Sequence, residues 1–305
     1  MKNIALVAVS LVALGGTFVS AQQPGAAGAP AGQQRQRPAP DPRSMGGGDC
    51  AENPYNCADV ANPLPPTNTV WLEEMTWIDV RDALKAGKTN IIISTGGMEP
   101  NGPWLVTGKH NYVLHTNCEA IARKMGNALC APIIKLVPEG GIEPKTGHMT
   151  SPGTMTMREE TFRAVLTDAA ESLQAHGFKN VIFIGDSGGN QGGQKAVAEA
   201  LTTKWAGKAL ALHIPEYYDY ASVTKYMQGH GIAEGKSDNM HDDPNSVRYD
   251  ARIKANKATI NGHSIADRAK ATAQAKQIVE FRATKTVEAI NKAIATGGKG
   301  TTSQQ

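Results

Sequence analysis

Asn180-Val181-Ile182-Phe183-Ile184-Gly185-Asp186-Ser187-Gly188-Gly189-Asn190-Gln191 is the stretch on which the reading of this chain turns. Val181 to Ile184 is unbroken apolar sequence, rich in β-branched and aromatic side chains. Without polar alternation, it has the character of a strand buried on both faces, and such strands belong to parallel sheets covered by helices. A glycine-rich polar segment follows at once, and Gln191 to Trp205 then reads as helix. The unit is strand, tight connection, helix.

The same alternation continues on both sides. Upstream, 157–176 predicts an amphipathic helix with Phe162, Val165, Leu166, Ala169 and Leu173 on one stripe, ended by Gly177. Downstream, 209–214 predicts another strand. Towards the N-terminus come a helix over 77–86 with Thr76 as N-cap, a strand over 89–95 containing Ile91-Ile92-Ile93, a helix over 111–125 and a strand over 131–137. A long helix over 265–295, with Ser264 as N-cap, closes the series. Strands alternating with helices predict an α/β fold with a mainly parallel sheet. Ligands of such sheets bind beyond the carboxyl ends of the strands.

Composition bounds the function. Of the 305 residues, 40% are apolar and 19% charged, ordinary values for a chain that buries a full core. A net charge of +3 with scattered Lys and Arg argues against a nucleic-acid partner. Lys2, the apolar run Ile4–Val19 and the small residues Val19-Ser20-Ala21 predict an export signal over 1–21, cleaved near Ala21. The mature chain is therefore expected in the periplasm or secreted, with no membrane segment after cleavage. Residues 22–48, rich in Gln, Ala, Pro and Gly, predict a disordered linker, and 299–305 a disordered tail. One domain is expected over 49–298. Export favours disulfides for Cys50 with Cys57 and for Cys118 with Cys130; neither pair has the CxxC spacing of a structural zinc site.

Three polar segments follow the predicted strands. The first holds Glu99, Asn101, Trp104 and His110; the second holds Glu139-Gly140-Gly141 and then His148; the third is Gly185 to Asn190. Gly-Asp-Ser-Gly-Gly matches the nucleophile segment of trypsin-like proteases, but those are all-β and this segment joins strand to helix. Gly185-x-Ser187-x-Gly189 also fits the nucleophile elbow of α/β-hydrolases, with Asp242 and His263 following in the right order. No His-Gly-Gly segment precedes it. His241, Asp242 and Asp243 form a further polar loop before Pro244.

Taken together, the segments resemble the creatininase family. Its first motif, Glu-x-His-Gly-Pro-His-Leu-Pro-x-x-x-Asp, is similar to Glu99-Pro100-Asn101-Gly102-Pro103-Trp104-Leu105-Val106-Thr107-Gly108-Lys109-His110. Its His before Phe-Pro-Gly-Thr resembles His148-Met149-Thr150-Ser151-Pro152-Gly153-Thr154. Its His-Gly-Phe and Asn-Gly-His-Gly-Gly-Asn resemble His176-Gly177-Phe178 and Gly185 to Asn190. The likeness covers roughly residues 70–220 and keeps order and spacing. It implies a three-layer α/β/α fold, a homo-oligomer, and metal-dependent hydrolysis of a small linear or cyclic amide with one or two divalent ions (Zn, Mn or Fe) per subunit. Carried over, Glu99, His110 and Asp186 are the expected ligands, because Asn101 and Ser187 stand where the family has histidines. His148, with Asp186 and Ser187, is the expected catalytic group. Asn101, Trp104, Gly188, Gly189, Asn190, His241 and Asp242 are expected to line the substrate site. Two other functions remain open at this point: a binder of a small ligand that has lost hydrolysis, and a serine hydrolase using Ser187.

Overall fold

Four strands, β1 (Asn90–Thr95), β2 (Ala128–Cys130), β3 (Asn180–Gly185) and β4 (Leu210–His213), form one parallel sheet in the order β2-β1-β3-β4. The computed structural model describes residues 39, 41–45, 48–233, 244–260 and 262–298. The expected export signal, most of the linker and the tail lie outside them, as do His241, Asp242 and Asp243. Among the described residues, no helix is long and apolar enough to cross a membrane.

The helices are α1 (Trp77–Lys85), α2 (Lys109–Met125), α3 (Glu159–Ala175), α4 (Gly188–Trp205), α5 (Tyr220–Gly229), α6 (Tyr249–Lys254) and α7 (Arg268–Ala295). A two-stranded hairpin, β5 (Thr259–Ile260) with β6 (His263–Ser264), precedes α7. Successive strand side chains point to opposite faces, and each face has its own core. Ile92, Ile182, Ile184 and Leu212 pack with Leu114, Cys118 and Ile121 of α2 and with Ala283 and Ile290 of α7. Ile91, Ile93, Val181 and Phe183 pack with Phe162 and Leu166 of α3, Val197 and Leu201 of α4, and the inner side of α1. The result is a three-layer α/β/α architecture. The absence of alternation in Val181–Ile184 thus has its cause: both faces are covered.

Where α4 crosses α3, the chains approach too closely for a side chain. A Cβ on Gly193 would lie 2.8 Å from Phe162 Cδ1 and 2.9 Å from Glu159 Oε1. Alanine is the better helix former by about 1 kcal/mol, but overpacking a core costs roughly 1–3 kcal/mol. Gly193→Ala is therefore expected to lower stability by about 1 kcal/mol on balance. A denaturant midpoint checks this; a raised midpoint would mean that Phe162 moves aside freely.

The chain divides into two units between Ala61 and Asn62. In the first, Cys50 is disulfide-bonded to Cys57, and the Asn53 side chain accepts from the Tyr55 N–H to start a short turn. In the second, the Cys118–Cys130 bridge joins α2 to β2.

Three elements differ by three residues or more from the sequence reading. The strand placed at 131–137 runs only from Ala128 to Cys130, because Pro132 has no N–H to continue the ladder. The chain then meets the sheet at the single bridge of Thr95 with Ile134, and Val137 bridges Thr156 in the loop before α3. Helix α4 begins at Gly188 rather than Gln191, so the glycines belong to its first turn. Helix α7 is capped by the Asp267 side chain, which accepts from the Lys270 N–H, and not by Ser264, which lies in the hairpin.

Candidate functional site

Two buried carboxylates and an imidazole form one continuous chain past the ends of β1 and β3. Asp186 is the residue immediately after β3, and its N–H donates to Thr95 O, the last carbonyl of β1. Its Oδ2 lies 2.7 Å from His110 Nδ1. The other ring nitrogen of His110, Nε2, lies 2.7 Å from Glu99 Oε1. His110 sits in the first turn of α2, so helix, loop and strand meet on one ring. All three side chains are buried.

Asp186 is the most heavily compensated acid. Lys109 Nζ lies 3.6 Å from Oδ2, and Arg282 Nη1, reaching in from α7, lies 3.7 Å from Oδ1. The Tyr220 hydroxyl donates to Oδ1 at 3.2 Å. Burial pushes the Asp186 carboxyl up, but the Lys109 charge, the His110 hydrogen bond and charge, and the Arg282 charge outweigh it and hold the group well below the usual carboxylate range. Burial disfavours the His110 cation, yet its bonds to Asp186 and Glu99 prevail and raise its pKa. His110 is thus a charged clamp between two anions.

Glu99 has a second face. Its Oε2 lies 3.2 Å from His148 Nε2, within ion-pair distance but not aligned as a hydrogen bond, and the oxygen is buried without a hydrogen-bond partner. Beside it stands Glu139, also buried, whose Oε1 has no partner either. Burial and the Glu99 carboxylate together push the Glu139 carboxyl up to about 9. Burial raises the Glu99 pKa too, but the bonds from His110 and Glu139 and the charges of His110 and His148 bring it down. The two acids share one proton between them. The approach is made possible by Gly97: a Cβ there would lie 2.3 Å from Glu139 Oε1.

One ligand atom each from Glu99, Glu139 and His148 falls within 4.8 Å of the others. Hard carboxylate oxygens with an imidazole suit a divalent cation such as Zn or Mn. Two buried acceptor oxygens without donors, on neighbouring carboxylates, are what a cation would satisfy. These residues fit a single metal ion. The side chain of His148 is half exposed, which leaves this corner open to a small ligand.

The expected site residues fall into three groups. Glu99, His110, His148 and Asp186 are brought together, and Glu139 joins them. His110 has both ring nitrogens engaged, and Asp186 is turned to its cations. Asn101 donates to Glu99 O at 3.4 Å. Asn190 is fully buried and donates to Thr95 O and Gly96 O, tying α4 to the loop after β1. Trp104 lies under the Arg252 guanidinium, 5.0 Å from its ring centroid. Ser187 is the buried N-cap residue of α4, and its side chain does not cap the helix. Among the described residues, no histidine hydrogen-bonds to it, and His263 lies in the exposed hairpin strand β6. Glu139 carried a readable signal, since it stands beside Gly140-Gly141 after the second sheet segment. Its pairing with Glu99 has no local sign, because residues forty apart meet only through the fold.

A three-layer parallel scaffold with acids and imidazoles gathered past the strand ends defines the class: an α/β/α protein with an enzyme-like polar site. The chain belongs to the creatininase family, whose model, described as creatinine amidohydrolase, matches residues 73–295. Family members are hydrolases. Among curated proteins, a 3-dehydro-scyllo-inosose hydrolase from Thermotoga maritima is 29% identical over 119 residues, 39% of this chain. The match spans 36% of that relative's length. Among solved structures, a creatininase mutant of the Zn-Zn type matches at TM-score 0.50 and 16% identity, covering 77% of this chain and 100% of its own. A creatininase mutant complexed with creatine matches at TM-score 0.50 and 18% identity, covering 76% and 100%. At such identities the structural likeness concerns the fold.

Proposed function

We propose that this chain hydrolyses a C–N bond of a small amide or cyclic amide, with one divalent cation held by Glu99, Glu139 and His148. The observation that carries this reading is the pair of buried, partnerless carboxylate oxygens on Glu99 and Glu139 beside the open His148. When bound, the cation would polarise a carbonyl and lower the pKa of water.

The chain's own residues have distinct tasks. His110 holds Glu99 Oε1, which leaves Oε2 directed at the cation position. Asp186 fixes the ring that does the holding; such outer partners matter to metal affinity at about the 10–100-fold level. With Oε1 given to the cation, the Glu139 carboxylate accepts the proton of the attacking water on its other oxygen and passes it to the leaving nitrogen. His148, expected from the motif to relay that proton, is given the ligand role here because its Nε2 faces Glu99 Oε2. Hydrolysis by Ser187 has less support, since no described base reaches it. We also propose that the protein works outside the cytoplasm; its two disulfides support an oxidising compartment.

Elemental analysis of the full mature chain, combined with an amide panel that includes creatinine, tests the reading. About one equivalent of tightly bound Zn, Mn or Fe is expected, with hydrolysis lost on chelation and restored by metal. A metal-free protein that binds creatinine unchanged would establish the non-catalytic binder instead. Turnover confined to a cyclic inosose would keep the hydrolase and replace the amide.

A further inference from the structure

Resting on the hydrolase reading, the geometry points to Tyr218 as a catalytic residue: its hydroxyl donates to the substrate's carbonyl oxygen. Tyr218 ends the short turn Pro215–Tyr218 that follows β4. It is half-buried, and its ring packs edge-on against Tyr220 with centroids 4.9 Å apart. Tyr220 in turn is bonded to Asp186, so the ring of Tyr218 is held against the charged centre of the site.

The first turn of α4 serves as a ruler for its position. A Cβ on Gly188 would lie 3.6 Å from the Tyr218 hydroxyl. A Cβ on the next residue, Gly189, would lie 3.1 Å from Pro138 O, the carbonyl just before Glu139. The Tyr218 hydroxyl and the Glu139 segment therefore both border the first turn of α4. The N–H of Gly188 approaches the phenolic oxygen from the start of α4. Among the described residues, no acceptor takes its proton. Burial and the nearby negative charge of Asp186 and Glu99 keep the hydroxyl protonated and therefore a donor.

A fixed donor without an acceptor, beside two acids and a helix N-terminus, has one chemical use in acyl transfer. As water oxygen bonds to the carbonyl carbon, the π pair moves onto the carbonyl oxygen, and the water proton goes to Glu139. The Tyr218 O–H meets the negative charge that develops there. When the pair returns, the C–N bond breaks, and the nitrogen leaves with the proton from Glu139. Tyr218 keeps its own proton throughout.

Tyr218→Phe removes the donor and keeps the ring packing on Tyr220. In the metal-loaded full chain, kcat is expected to fall by about 10²-fold, with KM, metal content and melting temperature near those of the parent protein. Equal kcat in both proteins overturns the role of Tyr218 and leaves the hydrolase reading standing. If the parent chain binds creatinine in calorimetry but does not turn it over, weaker binding by Tyr218→Phe supports the contact while the hydrolase reading fails. Unchanged binding in that case overturns the contact. A parent chain that neither binds nor hydrolyses any panel member overturns both.

Discussion

Glu99→Gln is expected to strip the protein of its metal and of its hydrolytic activity while leaving it folded. Glutamine keeps the shape of the side chain and a carbonyl oxygen for His110 Nε2, so the clamp to Asp186 survives. It removes one of the two charges that would face a cation. An outer partner of a ligand is worth about 10–100-fold in metal affinity, and a charged ligand itself exceeds that. Metal content should therefore drop from about one equivalent to a small fraction, and turnover by at least 10²-fold. Glu139, relieved of the neighbouring carboxylate that raises its pKa, should titrate nearer the ordinary glutamate range. Elemental analysis beside circular dichroism reads both halves of the expectation. Undiminished metal in a folded Glu99→Gln protein would remove the central residue from the site.

The largest loss of stability is expected at Asp186, a residue with 0% side-chain exposure. Asp186→Ala deletes the anion around which Lys109, Arg282 and His110 converge, all of them buried. Breaking a buried ion pair by removing one partner costs about 3–5 kcal/mol, because the remaining charge has neither water nor a counterion. Asp186→Asn, which retains hydrogen bonding, should cost less. Urea midpoints rank the two variants. A loss below about 1 kcal/mol for Asp186→Ala would mean that the cations reach solvent. The pH dependence follows from the sign of the shift. The folded carboxyl titrates below its unfolded value of about 4, so its contribution is complete above that pH and is lost as pH falls further. Asp186→Ala should show a flatter acid limb than the parent.

Much of the scaffold was legible because it depends on local patterns. The apolar runs at Ile91–Ile93 and Val181–Ile184 are dense enough to require cover on both faces, and the three-layer fold supplies it. The failures have local causes as well. Pro132 interrupts what hydrophobicity alone reads as strand 131–137, and Asp267 competes with Ser264 for the start of α7. The candidate site divides differently. Glu99, His110, His148 and Asp186 could be singled out because each follows a strand in a polar segment. The division of labour among them could not. It depends on Arg282, 96 residues from Asp186 along the chain on another layer, and on Glu139 reaching Glu99. Long-range charge balance leaves no periodicity in a sequence.

The imidazole of His110, bonded at both nitrogens to acids from separate segments, has a further consequence. A planar ring is a spacer of invariant width, so the interval between Glu99 and Asp186 is set by that ring and not by the course of the backbone between them. The stretch between Asn101, which donates to Glu99 O, and Thr107, whose carbonyl accepts from the Glu99 N–H, is thereby released from setting that interval. Its length is open to drift, and with it the shape of what the protein admits, while the chemistry stays in register.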